Sequence, residues 1–288
     1  MKTFGHSLQI YPKRIMVNNM AELSTVSETL FVPMLGRIYS SKEHPSVFRD
    51  EFALSFENKL PKDLLTKGHQ SEYTLMASAI RSKNIDDVVR KFLEKNPDSI
   101  VVELGCGLET TFLRCDNGKV RWYFLDLPEV LDFRATVLPP SERNVVLPES
   151  MLERGWMEKV KAEADGKPIL VLAEGLLYYF TKKDVLEMLR SISSILGGII
   201  VFDTVNHSGI QMMSRYMKQV GHADAAMFFY VDKAEALANE IGPRISVIEE
   251  KPFYRGIPRK EMKSFSTRVS MTVSDWFSMV KLITLKLA

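Results

Sequence analysis

Ser99-Ile100-Val101-Val102-Glu103-Leu104-Gly105-Cys106-Gly107 is the stretch that decides the fold. Ile100, Val101, Val102 and Leu104 are apolar on both faces of an extended chain. That pattern suits a central strand of a parallel sheet covered by helices on both sides. The run stops at two glycines, where the backbone can approach a ligand that a side chain would exclude. The next apolar run, Val120–Leu125, ends at Asp126. It lies about 20 residues on, the distance at which a strand-end carboxylate accepts the hydroxyls of a ribose. A Gly-x-Gly pair alone marks only a tight strand–helix turn. With Asp126 it reads as the loop of a nucleotide-type cofactor.

Further strands lie outward from this centre, at Asn144–Leu147, at Pro168–Ala173 ending at Glu174, and at Gly198–Phe202 ending at Asp203. Between the last two, Thr181-x-x-Asp184 has the form of a capping box. Val185, Met188, Leu189, Ile192 and Leu196 follow it at helical spacing, and Gly197-Gly198 stops the helix. Alternating strands and helices are the signature of an open, doubly wound sheet. Upstream, Leu30, Met34 and Ile38 recur at helical spacing in Thr25–Ser40, and a second helix is expected over Asn84–Glu94, with Asn84 as its N-cap. Downstream come a Met-rich helical stretch over Asn206–Val220, a short helix over Asp232–Glu240, and strands at Arg244–Glu249 and Val280–Leu287. The last two suggest an antiparallel hairpin added to the sheet edge. The expectation is an α/β chain with a Rossmann-like, mostly parallel doubly wound sheet, forming one domain over 1–288. Its parts are an N-terminal helical region (1–95), a cofactor-binding core (99–205), a helical cap (206–240) and C-terminal strands (244–288).

Composition narrows the function. The 288 residues are 45% hydrophobic and 26% charged with a net charge of +2, and the basic residues are scattered. This favours a small or peptide partner over nucleic acid. Cys106 and Cys115 belong to no CxxC pair or Cys/His cluster, so neither a disulfide scaffold nor a metal site is expected. Met1–Met20 lacks an apolar core of signal-peptide length, and Ile195–Phe202 is too short to span a bilayer, which implies a cytoplasmic protein away from membranes. A homo-oligomer is compatible with this composition.

The dinucleotide fingerprint wants a third glycine where this chain has Thr110, so NAD fits poorly. Glu103, two residues before Gly105, is the acidic position of the methyltransferase version of the loop. S-adenosylmethionine has no phosphate and carries a cationic amino acid end, beside which acidic side chains make sense.

Four segments carry a family resemblance: Arg81-Ser82-Lys83-Asn84-Ile85-Asp86, Glu103-Leu104-Gly105-Cys106-Gly107, Asp126-Leu127-Pro128-Glu129-Val130 and Glu174-Gly175-Leu176-Leu177-Tyr178-Tyr179. Their order and spacing resemble the leucine carboxyl methyltransferase family, nearer its tetracenomycin-type polyketide O-methyltransferases. The resemblance implies a class I methyltransferase fold and S-adenosyl-L-methionine as cofactor. It implies that Arg81 pairs with the methionyl carboxylate, a task for a guanidinium fork. Gly105 and Gly107 would line the methionyl end beside Glu103, Asp126 with Leu127 would hold the ribose, and Glu174 would face the ammonium. Ser150 and Met151 are the candidates for the adenine edge. Arg37 is a weak match to a basic residue of the family's N-terminal helices.

An Asn/Asp-Pro-Pro-aromatic motif, common where base amino groups are methylated, is replaced here by Glu174-Gly175-Leu176-Leu177. Oxygen methylation is therefore expected, with a carboxylate of a small molecule as acceptor. A carboxylate arrives ionised, whereas a phenol with pKa near 10 benefits from a base. Tyr178 and His207 are the candidate catalytic groups, and no motif marks either one. The alternatives are methylation of a phenolic hydroxyl on a polyketide-like substrate and a cofactor-binding protein without catalysis. The run from Met212 to Tyr230, rich in Met and aromatics, either caps the acceptor pocket or packs as core.

Overall fold

The computed structural model describes residues 28–60, 70–219 and 227–287. Residues 25–27 of the first expected helix, the Met1–Met20 segment, and His6, His69 and His222 lie outside them. Five parallel strands form the centre: β1 (Ile100–Leu104), β2 (Arg121–Asp126), β3 (Asn144–Pro148), β4 (Ile169–Ala173) and β5 (Gly198–Val205). β6 (Ile245–Pro252) and β7 (Val280–Leu287) complete a seven-stranded sheet in the order β3-β2-β1-β4-β5-β7-β6. β7 runs antiparallel between β5 and β6. The chain winds outward from β1 to β3, then returns to β4 on the other side of β1. Ligands of open α/β sheets bind at such a switch point, outside the carboxyl ends of the strands.

The period of two along β1 explains the layers. Ile100, Val102 and Leu104 pack on one face with Trp156 and Val160 of α6 (Gly155–Ala164), Leu189 of α7 (Lys182–Ile195) and Leu237 of α9 (Ala234–Ile241). Val101 faces the other layer, with Val89 of α3 (Glu72–Lys95), Phe112 of α4 (Thr111–Cys115) and Leu131 of α5 (Pro128–Val137). The capping box at Thr181 and Asp184 forms as the sequence suggests. Gly198 begins β5 at φ +91°, and a Cβ there would stand 2.4 Å from the Ile169 carbonyl oxygen. Among the described residues no helix is long and apolar enough to cross a membrane.

Two expectations are corrected. Asn84 is no N-cap: α3 begins more than three turns earlier, with Ser71 as its cap. Ser82, Asn84 and Asp86 are buried polar residues inside the helix, and they mimic a helix start because their partners lie far along the chain. The Asn84 amide donates to the Phe253 carbonyl at 2.8 Å and its oxygen accepts from Lys251 at 3.2 Å. β6 and β7 form the expected antiparallel pair at the sheet edge, but not as a simple hairpin. Their connection carries a helix, α10 (Phe265–Trp276), and the later strand inserts beside β5.

The N-terminal helices α1 (Glu28–Glu43) and α2 (Glu51–Phe56) are tied to the sheet by a buried ion network. Arg114 of α4 grips Asp86 of α3 with two bonds of 2.8 and 2.9 Å, Asp50 at 2.8 Å and Glu109 at 2.9 Å. Arg37 of α1 pairs with Asp50 at 3.2 Å and with Glu109. Removing one member of a buried network strands its partners' charges, at a cost of about 3–5 kcal/mol. Arg114→Met should therefore lower stability by about 3 kcal/mol or more in urea unfolding. Arg143→Met, which breaks the exposed pair with Asp116, should cost less than about 1 kcal/mol. Equal losses would show that the buried network is not special.

Candidate functional site

The register of the parallel strands sets the site. Leu125, Leu104, Ala173 and Phe202 pair across β2, β1, β4 and β5. The next residues in chain order are Asp126, Gly105, Glu174 and Asp203. Three carboxylates and one glycine thus stand in a row at the switch point, with Glu103 one residue behind Leu104.

Each carboxylate has a different supply of donors. Asp126 accepts from the Gly107 and Leu127 amides, both at 2.8 Å, and burial still raises its pKa. Asp203, fully buried, accepts from Arg81 Nε at 2.8 Å, from the Gly175 amide at 2.6 Å and from the Tyr178 hydroxyl. Glu103 accepts from the Trp122 indole at 3.0 Å on one oxygen, while the other has no hydrogen-bond partner among the described residues. Its pKa is raised to about 7, chiefly by burial. Glu174 has both oxygens buried without a hydrogen-bond partner among the described residues. Burial, then the charges of Glu109 and Glu103, push it well above the ordinary carboxylate range. A carboxylate buried without donors ionises at a cost that a nearby cation lowers.

The backbone around the row is shaped for close approach. Gly105 and Gly107 adopt φ of +60° and +44°. A Cβ on Gly105 would stand 2.6 Å from a methyl of Leu176. Arg134 of α5, buried and stacked on the Phe124 ring at 4.1 Å, donates to the Gly107 carbonyl at 2.8 Å. Arg37 donates to the next carbonyl, that of Leu108, at 2.8 Å. Glu109 accepts from Ser82 at 3.0 Å and, despite its burial, is held far below the carboxylate range by Arg37 and Arg114. The loop is thereby fixed from both ends.

The remaining sequence candidates divide. Ser150 follows β3 and is half-buried, whereas Met151 packs in the core with Leu147 and Trp156. Tyr178 is buried on Asp203, which together with burial raises its pKa well above 10. His207 is exposed at the start of α8 (His207–Gln219), bonded to Gln211 at 2.9 Å with its ring edge on Tyr230. In the Met-rich run, Phe229 is core against Phe202, and Met213 and Met227 pack around Tyr178. Met212, Phe228 and Tyr230 are exposed.

Sequence reasoning missed Asp203 as the hub, although it closes an apolar run just as Asp126 does; the strand itself runs on to Val205. It also missed Glu109, Arg114 and Arg134. Arg114 and Arg134 sit in short helices and Glu109 in the loop before α4, where only long-range contacts reveal a role.

The model of the family described as leucine carboxyl methyltransferase matches residues 31–193. The tetracenomycin polyketide synthesis O-methyltransferase TcmP of Streptomyces glaucescens is 28% identical over 64% of this chain and 67% of its own. The S-adenosyl-L-methionine-dependent methyltransferase dpfgK of Gibberella zeae is 23% identical over 89% of this chain and 92% of its own. Among solved structures, a candidate methyltransferase of Thermobifida fusca superposes with a TM-score of 0.59, at 14% identity over 92% of this chain and 97% of that one. That likeness is one of fold. The family match spans more than half of the chain and contains the glycine loop, Asp126 and Glu174; the chain belongs to the leucine carboxyl methyltransferase family and is an S-adenosyl-L-methionine-dependent methyltransferase.

Proposed function

We propose that the chain methylates an oxygen, and that the acceptor is a carboxylate of a small molecule. The observation that carries this reading is the commitment of both candidate bases. The Tyr178 hydroxyl is bound to Asp203, and His207 stands exposed against Gln211 and Tyr230. A carboxylate acceptor needs neither, because it arrives ionised and requires only aim and removal of water. The kinship with a polyketide synthesis O-methyltransferase supports a small acceptor.

The residues fit the cofactor. A buried carboxylate without a partner is stabilised by a cation, and Glu174 supplies it for the cofactor's ammonium. Arg81 bonds Asp203 through Nε and also interacts with Tyr178, and its guanidinium fork would grip the cofactor carboxylate. Each Asp126 oxygen takes one backbone amide and has a lone pair left for a ribose hydroxyl. The left-handed backbone at Gly105 and Gly107 would keep side chains off the methionyl end, Leu127 would flank the ribose, and Ser150 would line the adenine. Met151, packed in the core, supports that edge from behind. Glu103 adds negative potential beneath the cationic part. When bound, S-adenosylmethionine supplies an electrophilic methyl group.

Arg81→Ala and Glu174→Ala should each weaken S-adenosylhomocysteine binding by about 1.5–3 kcal/mol in calorimetry, the scale of a charged hydrogen bond. Undiminished affinity in both folded variants would reject these roles.

The acceptor is tested by product analysis. A panel of small acids and phenols is incubated with methyl-labelled cofactor, and the product is treated with mild hydroxide. An ester releases labelled methanol, whereas an aryl ether does not. His207→Ala should keep nearly the parental kcat. A base-stable product, with a kcat loss of about 10²–10⁴-fold in that variant, would move the acceptor to a phenol.

A further inference from the structure

Helix α10 buries one face and leaves an apolar face exposed on the opposite side. Thr267, Met271 and Ser274 are buried against the body of the protein. On the other side Phe265, Val269, Val273 and Trp276 follow one another at helical spacing and continue into Phe277. They are 76%, 43%, 39%, 80% and 65% exposed. The other exposed positions of the helix are Ser266, Ser270 and Thr272, so its outward face carries no charge. The two charged residues in the helix are engaged elsewhere. Arg268 donates to the Met262 carbonyl at 2.8 Å, and Asp275 pairs with Arg259.

We infer that this face is the contact between two copies of the chain. The area supports it: at about 150–250 Å² for a whole aromatic side chain, the three aromatics and two valines leave about 500–600 Å² uncovered. That is the upper limit of the largest patch on a typical monomer, about 300–600 Å². It also amounts to most of the roughly 800 Å² that each partner contributes to a standard interface. Interface centres are depleted of charge and enriched in aromatics, as this stripe is. A second copy matches an uncharged apolar stripe without burying any unpaired charge, and a twofold axis makes the patch its own complement.

The spacing defines the packing. With the axis between Ser270 and Met271, an antiparallel pair of α10 helices sets Phe265 against the partner's Trp276, and Trp276 against the partner's Phe265. Val269 and Val273 meet near the axis, and the small Ser266, Ser270 and Thr272 allow close approach. The platform is rigid. The Asn206 amide donates to the Phe277 carbonyl at 3.0 Å, and the Tyr254 amide and Arg259 hold Asp275. Little freedom is lost on docking. Trp276 is the expected anchor, since aromatic residues dominate interface energies.

Light scattering and sedimentation of the full-length protein test the inference. The parent should weigh twice 32.9 kDa in the micromolar range. Val273→Arg should sediment as a monomer, and Trp276→Ala should dissociate at least tenfold more readily. Both should keep the parental circular dichroism and S-adenosylhomocysteine affinity. Ile248→Arg, on the exposed edge strand β6, should remain dimeric. A monomeric parent at every concentration would overturn the proposal. So would a dimer that survives Val273→Arg, a dimer lost in Ile248→Arg alone, or a monomer that floats with lipid vesicles through Trp276.

Discussion

Carboxylates along the carboxyl ends of four adjacent parallel strands must be held where water is scarce, and much of the surrounding structure follows from that constraint. Asp126 takes two backbone amides from the loop and helix that follow the strands beside it. Asp203 takes an amide, a guanidinium and a phenol. Glu103 takes one indole. Glu174 accepts no hydrogen bond among the described residues. The free energy of burying that group is left for a ligand to recover, and the asymmetry between Asp203 and Glu174 gives the crevice its polarity. One end already holds a cation in Arg81, and the other lacks one.

The N-terminal helices belong to the same construction. Arg37 comes from α1, Ser82 and Asp86 from α3, and Asp50 caps α2. Together with Arg114 they fix Glu109, which directly follows the loop of Gly105 and Gly107. Leu30 of α1 also lies against Gly107, where a Cβ would come within 3.0 Å of its methyl group. The helices that precede the sheet thus set the shape of the loop that would receive the cofactor. Their packing, and not only their propensity, fixes where they stand.

The sheet was legible because its signals are local. Apolar runs ending in Gly or an acidic residue gave β1, β2, β4 and β5, and the capping box at Thr181 gave α7. The start of α3 was misread because Ser82, Asn84 and Asp86 are polar, and their partners lie in β6, in α4 and at Phe253. The insertion of β7 beside β5 was hidden for a similar reason, since strand order is a long-range property. At the site, Asp126 was visible from its spacing behind the glycine loop, and Arg81 and Glu174 only through the family resemblance. Asp203 was visible only as the end of an apolar run, and Arg134 needed the ring of Phe124 to reveal it.

The central claim is that Glu174 stands ready for the cofactor's ammonium. Burial raises its pKa well above the ordinary carboxylate range, and a bound cation favours its ionised form. Binding of a cation there should therefore draw a proton off the protein. Titration calorimetry of S-adenosylhomocysteine at pH 7, repeated in buffers of different ionisation enthalpy, measures that proton directly. The account predicts a net release in the parent that is largely lost in Glu174→Gln. No buffer dependence in the parent, or a release unchanged in Glu174→Gln, would contradict it.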